Sequence, residues 1–253
     1  MRNIRLIVTY DGTDFFGWQR QANVPTIQGA IESAIEKILT EKVSLSGSGR
    51  TDAGVHALNQ VANFKTPGSI PCENLLRALN NLLPSSVRIK KVQDVAESFH
   101  ARHDARSKTY RYRILRAPVA SPFIGRFVHH APYPLDHQRI AAAARLLEGE
   151  HDFTSFAGSA GVVREPPEHD RDNIRTIFTS RLLWRPRTSI LAYEARGSGF
   201  LHHMVRNIAG TLLEVGRGKL APQDIRAILE ARARTRAGPT APASGLCLMK
   251  VDY

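Results

Sequence analysis

Between residues 26 and 40, apolar side chains recur with one helical period: Ile27, Ala30, Ile31, Ala34, Ile35, Ile38 and Leu39 stand at i, i+3, i+4, i+7, i+8, i+11 and i+12. A stripe this complete must be buried against another element, and Thr26 is placed to cap it. The flanking segments have the other period. "IRLIVTYDG" alternates and reads as a strand ended by the Asp11-Gly12 turn, and "HALNQVANFKT" reads as a returning strand. With "CENLLRALNNLL" as a second helix stopped by Pro84 and "SVRIKKVQDV" as a further strand, the N-terminal part follows a β-α-β-β-α-β order.

The second half repeats the rhythm without repeating the sequence. "KTYRYRILR" and "GRFVHHAPY" read as strands, "LDHQRIAAAARLLEG" as a helix, and "IRTIFTSRLLW" with "SILAYEARGSG" as a strand pair. Helices at 200–214 and 222–233 follow, and "GLCLMKVDY" closes the chain as a strand. This pattern predicts an α+β protein of two sheet-and-helix lobes, 1–105 and 106–253. Residues 158–173 and 234–245, rich in Gly, Pro and charge, read as solvated surface loops.

Thirty-five Lys and Arg face 23 Asp and Glu, a net charge of +12, which suits a partner rich in phosphates. The two cysteines, Cys72 and Cys247, have no CxxC or Cys/His spacing, so a reducing, cytoplasmic setting is expected, with neither a zinc site nor a disulfide framework. The N-terminal apolar run is too short for a signal peptide, and no stretch has the apolar length of a membrane span. Nucleotide, flavin and zinc signatures are missing from the sequence, so no cofactor is expected.

Three segments can carry chemistry. In "GSGRTDAGVHALNQVANF", Asp52 is the one acid between Lys42 and Cys72. The glycines permit a sharp turn, and "TDAG" alone reads as a β-turn with a capping aspartate; as a phosphate cradle it lacks the Gly-Lys-Ser/Thr ending. In "SFHARHDARSKTYRYRILR", six cations stand against Asp104 with Phe99, Tyr110 and Tyr112 interleaved. On a strand, Tyr110, Tyr112 and Ile114 share one face and Arg111 and Arg113 the other, which suits either a polynucleotide surface or a buried tyrosine face with solvated arginines. His100, His103 and Asp104 have no partner cluster to make a metal site. In "GSGFLHHMVRNIAGTLLEVG", Leu201, Met204, Val205, Ile208 and Leu212 make an apolar helix face, while His203, Arg206, Asn207 and Gly210 line the other. Gly210 there permits close approach of another segment or of a ligand.

Taken in order with "YDGTDFFGWQRQ" at the N-terminus and "GLCLMKVDY" at the end, these segments resemble the TruA family of tRNA pseudouridine synthases over essentially the whole chain. The resemblance implies two ferredoxin-like, RRM-like lobes around a central basic cleft, the pseudouridine synthase fold. It implies isomerisation of uridine at nucleotides 38, 39 and 40 of the tRNA anticodon stem-loop, by a homodimer and without a cofactor. Carried over by motif, Asp52 is the catalytic aspartate, Tyr110 packs beside the target uracil, Arg206 pairs with the aspartate, and Arg50 helps hold the flipped nucleotide. His56, Arg111 and His203 join Tyr110 and Arg50 as expected substrate-binding residues. The region "GSAGVVREPPEHDRDNIRT" is longer than the family's usual connection. A noncatalytic RNA-binding protein of the same fold is the rival reading. It has no need of a lone acid, which repels phosphates.

Overall fold

The stripe at 27–39 folds as its spacing requires. In the computed structural model, which describes residues 1–158 and 173–253, helix α1 is Ile27–Leu39, and the Thr26 hydroxyl accepts from the Gly29 N–H at its N-terminus. Ile27, Ile31, Ala34 and Ile35 are buried. Strand β1 (Arg2–Tyr10) lies between β3 (His56–Thr66) and β4 (Val87–Val95), antiparallel to both. The two-residue β2 (Ser46–Gly47) pairs with β3 through Asn63 and Ala62, which gives the ferredoxin-like order β4-β1-β3-β2. Helix α2 (Cys72–Leu82) buries Leu75 and Leu79 and contacts α1. It ends where Leu83, held at ψ 145 ahead of Pro84, leaves the helical region.

The chain divides into two compact units, Met1–Arg106 with Cys247–Tyr253, and Ser107–Leu246. In the second, β5 (Ser107–Leu115), β9 (Ile190–Gly197), β8 (Ile174–Arg185) and β7 (Gly149–Asp152) form an antiparallel sheet in that spatial order. Helix α3 (His137–Arg145) is capped by the Asp136 carboxylate, which accepts from Gln138 and Arg139 N–H. Helices α4 (Met204–Gly216) and α5 (Asp224–Ala231) complete this unit. The terminal strand β10 (Leu246–Asp252) runs parallel to the start of β3, with Cys247 opposite His56 and Leu248 opposite Ala57, so sequence order and spatial grouping part company at the C-terminus.

Several local expectations are corrected. "GRFVHHAPY" is a 3-10 turn at Gly125–Phe127, followed by a two-residue strand, β6 (His129–His130). Pro132 and Pro134 lack the N–H that a longer ladder needs. The helix expected over 135–149 runs only from His137 to Arg145, and Gly149 at φ 104 turns the chain into β7. The helix expected from residue 200 begins at Met204, because His203 sits at φ 58, in the left-handed region. Residues 234–245 are a surface segment, with Thr235, Arg236, Pro239, Thr240 and Pro242 exposed, but a tethered one. Arg234 donates to the Gly238 carbonyl (2.9 Å), Asn207 Oδ1 (3.1 Å) and Thr240 Oγ1 (3.1 Å), and Ala241 is buried. The irregular segment 158–173 lies, apart from its two end residues, outside the described residues. No helix among the described residues is long and apolar enough to cross a membrane.

Candidate active site

In the first unit, the Asp52 loop has no regular structure of its own between Ser48 and Val55, yet its backbone is fixed from both sides. The Asp52 carbonyl accepts from Val55 N–H (3.1 Å), and Gly54 at φ 76 takes the left-handed position inside this turn. Trp18 N–H donates to the Thr51 carbonyl (3.0 Å), and Gly54 N–H to the Phe15 carbonyl (3.3 Å). These contacts explain the N-terminal "YDGTDFFGW". A Cβ at Gly12 would stand 2.0 Å from the Val55 carbonyl oxygen, and one at Gly17, whose φ is +88, would stand 2.6 Å from that of Thr51. Only glycine lets the two backbones lie this close.

Buried polar groups complete the support. Tyr10 and Thr51 hydroxyls meet at 2.8 Å. Ser48 Oγ donates to Gln60 Oε1 (2.5 Å), while Gln60 Nε2 donates to the Gly49 carbonyl (2.8 Å). The turn reading of "TDAG" therefore holds, but backbone groups close the turn, and the Asp52 side chain is partly exposed. Arg50 is exposed, its Nε donating to Gln19 Oε1 (3.0 Å). His56 is buried, its Nδ1 3.1 Å from Gly12 N and 3.2 Å from Asp11 Oδ1. The sequence offered no sign of the Tyr10, Trp18 and Gln60 supports beyond their place in strands and motif. The spacing of Gly12 and Gly17 was the available signal.

The histidines of "FHARHDAR" form a capped turn. His100 Nδ1 accepts from the N–H groups of Arg102 (3.1 Å) and His103 (3.4 Å), and Asp104 Oδ2 accepts from His100 N–H (2.9 Å). Burial, with the neighbouring His103, depresses the basicity of His100.

In the second unit, β5 resolves the two readings of "KTYRYRIL". Tyr112 is fully buried, its hydroxyl donating to the Pro242 carbonyl (2.9 Å), and burial drives its acidity well below that of an ordinary phenol. Its ring lies against Gly245, where a Cβ would come within 2.6 Å. Tyr110, on the same face, is 7% exposed and meets the Phe200 ring edge-on at 5.1 Å. The opposite face carries Arg111, whose Nε and Nη2 donate to Glu194 Oε2 at 3.0 and 2.6 Å. Arg181 does the same to Oε1, again at 3.0 and 2.6 Å. Burial opposes the Glu194 charge, but the two guanidinium groups outweigh it and hold the carboxyl below its usual range.

The face of α4 expected to be polar is covered at Asn207 and Gly210. Asn207 is fully buried, donating to the Phe156 carbonyl (2.7 Å) and accepting from Thr240 Oγ1 (2.6 Å). Gly210 admits another segment: a Cβ there would stand 1.7 Å from the Pro239 carbonyl oxygen. Arg206 is partly exposed, and its Nε donates to the Ala241 carbonyl (2.8 Å), so the 234–245 segment aims this guanidinium. The His202 and His203 rings stack at 3.7 Å just ahead of α4. The structure thus gathers Arg50, Asp52 and His56 in the first unit, and Tyr110, Arg111, His203 and Arg206 in the second.

A mixed α+β chain with these ordered motifs falls in the pseudouridine synthase class of RNA-modifying isomerases. The family model described as tRNA pseudouridine synthase matches residues 6–104 and 143–253. The tRNA pseudouridine synthase A of Solibacter usitatus (strain Ellin6076) is 49% identical over 253 residues, 100% of both chains. That of Brevibacillus brevis (strain 47) is 45% identical over 259 aligned positions, and that of Caldicellulosiruptor saccharolyticus 44% over 253, each covering 100% of both chains. The chain belongs to the tRNA pseudouridine synthase family.

Proposed function

We propose that this enzyme converts uridine to pseudouridine at nucleotides 38, 39 and 40 of the tRNA anticodon stem-loop, with Asp52 as its catalytic carboxylate. The observation that carries this reading is a lone acid, the one between Lys42 and Cys72, on a turn pinned by backbone hydrogen bonds on both flanks. In the reaction the N1–C1′ bond breaks, the base turns and C5 joins C1′. The C5 proton is lost, and the released N1 gains one. The change is redox-neutral and consumes no water, so a single carboxylate is enough, as nucleophile on sugar or base or as the base that removes a sugar proton.

Taking the target base out of its stack requires roughly a few kcal/mol. Arg50 holds the flipped nucleotide, and Tyr110 offers its ring to the uracil, a contact typically worth about 1–3 kcal/mol. Arg206 is the partner of the Asp52 carboxylate. His56, Arg111 and His203 complete the substrate-binding set. His56, being buried, and Arg111, being bound to Glu194, act mainly by fixing their neighbours. In this reading residues 1–105 supply the aspartate loop and 106–253 supply Tyr110 and Arg206, in a cytoplasmic homodimer.

Mapping pseudouridine in tRNA transcripts that carry uridine singly at 38, 39 or 40 tests the assignment. Conversion at all three positions is expected, and conversion confined to other positions contradicts it.

A further inference from the structure

Gln28 and Glu32 stand one helical turn apart on α1, next to Ile27 and Ile31 of the apolar stripe, and both are buried, at 7% and 8% exposure. Polar side chains on the packed side of a helix must find partners there. Gln28 Nε2 donates to Glu32 Oε1 (2.9 Å) and to the Leu45 carbonyl (3.1 Å), and Leu45 N–H donates to the same Glu32 oxygen (3.0 Å). Gln28 Oε1 accepts from Arg20 N–H (3.0 Å). The pair thus serves backbone groups of two segments, one before α1 and one after it.

Both segments lead to the supports of the Asp52 loop. Just before Arg20 lies Trp18, whose N–H holds the Thr51 carbonyl and whose own carbonyl accepts from Gln28 N–H (3.0 Å). Just after Leu45 comes β2, where a Cβ at Gly47 would stand 2.6 Å from Trp18 Cε2 and Nε1. Ser48 follows, tied to Gln60. Trp18, itself buried, therefore joins the two segments that the pair holds.

We infer that Gln28 and Glu32 are positioning residues for the reaction, fixing the spacing of segments 17–20 and 45–48 and through them the place of Asp52. The inference rests on the reading of Asp52 as the catalytic carboxylate. Leu45 stands just outside β2, and α1 supplies both an acceptor for its N–H and a donor for its carbonyl. An aliphatic pair could fill the same volume but could supply neither, and a buried backbone group deprived of its partner is costly. The polar pair therefore sets one register between helix and loop where apolar residues would permit several. Arg20 Nη1 also lies 3.5 Å from Glu32 Oε2, but its side chain is 70% exposed, so this ion pair is the lesser tie. Misplacing a reacting group by about 1 Å can slow a reaction on the order of 10²-fold, so a helix remote from the chemistry can govern its rate.

The test compares Glu32→Ala with Glu32→Gln in the full chain on tRNA transcripts, with Ile31→Ala as the control for lost core packing in α1 and all rates referred to folded protein. Glu32→Ala should lower kcat on the order of 10²-fold and leave KM within about three-fold, because the aspartate is displaced while the RNA-binding side chains are kept. Glutamine keeps an Oε1 acceptor for both donors, so Glu32→Gln should stay within about three-fold of wild type, and so should the less stable Ile31→Ala. A Trp184→Phe background leaves Trp18 as the one tryptophan, and there Glu32→Ala should red-shift the emission and Glu32→Gln should not. Gln28→Leu, which removes the donor to the Leu45 carbonyl and keeps the volume, should lower kcat about ten-fold and carries the comparison if Glu32→Ala fails to fold. Wild-type kcat in folded Glu32→Ala or Gln28→Leu would overturn the positioning role, as would equal losses in Glu32→Gln or Ile31→Ala. Asp52→Asn assayed in parallel separates the two readings: an inactive Asp52→Asn beside a fully active Glu32→Ala overturns only the positioning role, whereas an active Asp52→Asn overturns the reading beneath it.

Discussion

The segment that carries Asp52 and the segments that carry Tyr110 and Arg206 are built differently. Around Asp52 the chain from Ser48 to Val55 is irregular, and its position is set by a neighbouring loop whose glycines touch it backbone to backbone. Tyr110 and Arg206 ride on a regular strand and a regular helix, and side-chain contacts set their direction: Phe200 for the tyrosine, the Ala241 carbonyl for the arginine. A loop held by backbone approach tolerates no added atom in its supports. A residue on a packed helix or strand can be truncated with its surroundings intact.

The predictions probe this difference, starting with the largest effect. Arg206→Ala should keep its helix and bind tRNA nearly as wild type, but lose turnover by on the order of 10²–10³, as removal of a charge-stabilising donor typically does. Steady-state kinetics beside filter binding read this; affinity and turnover falling together would make Arg206 a phosphate contact. Gly17→Ala adds a Cβ 2.6 Å from the Thr51 carbonyl oxygen at φ +88, and should lose about 2–4 kcal/mol of stability together with activity. Gly218 has a similar φ, +79, but nothing within 4 Å of the added carbon, so Gly218→Ala should lose only about 1 kcal/mol and remain active. Equal losses in urea unfolding would mean that backbone conformation, and not close approach, governs the aspartate loop.

The Glu194 site gives a pH signature to the second unit. Its carboxyl is held below the unfolded value, so its stabilising contribution is complete above about pH 4.3 and fades as pH falls through the lower, folded value. Melting temperatures between about pH 2 and 6 should show that loss in wild type and less of it in Glu194→Gln, which begins from a lower midpoint at neutral pH. The smallest expected effect is Thr26→Ala, about 1 kcal/mol by chemical denaturation with unchanged kinetics, because the cap supports α1 and not the loop itself.

What was legible in the sequence follows the same division. Helix α1, its Thr26 cap, β3 and the Pro84 stop follow from periodicity and local chemistry, which act within a few residues. The β5 alternation likewise separates the tyrosine and arginine faces. Partners distant in sequence were not legible: Gln60 supporting Gly49, or Arg234 holding Asn207 and Thr240, leave no periodic trace. The 234–245 segment reads as an ordinary surface loop from its Gly and Pro content, whereas Gly238 permits contact with α4 and Gly245 with the Tyr112 ring; a Cβ at Gly238 would lie 2.8 Å from Thr211 Cα. In the Asp52 loop, composition suggested the turn, and only the ordered motifs suggested its chemistry.

The central claim is that Asp52 is the one carboxylate on which the isomerisation depends. Tritium release from 5-labelled uridine in tRNA transcripts measures it directly, since C5 must lose its hydrogen. Asp52→Asn, which keeps the turn that backbone groups close, should bind tRNA and release no tritium above background. Release at the wild-type rate would contradict the account.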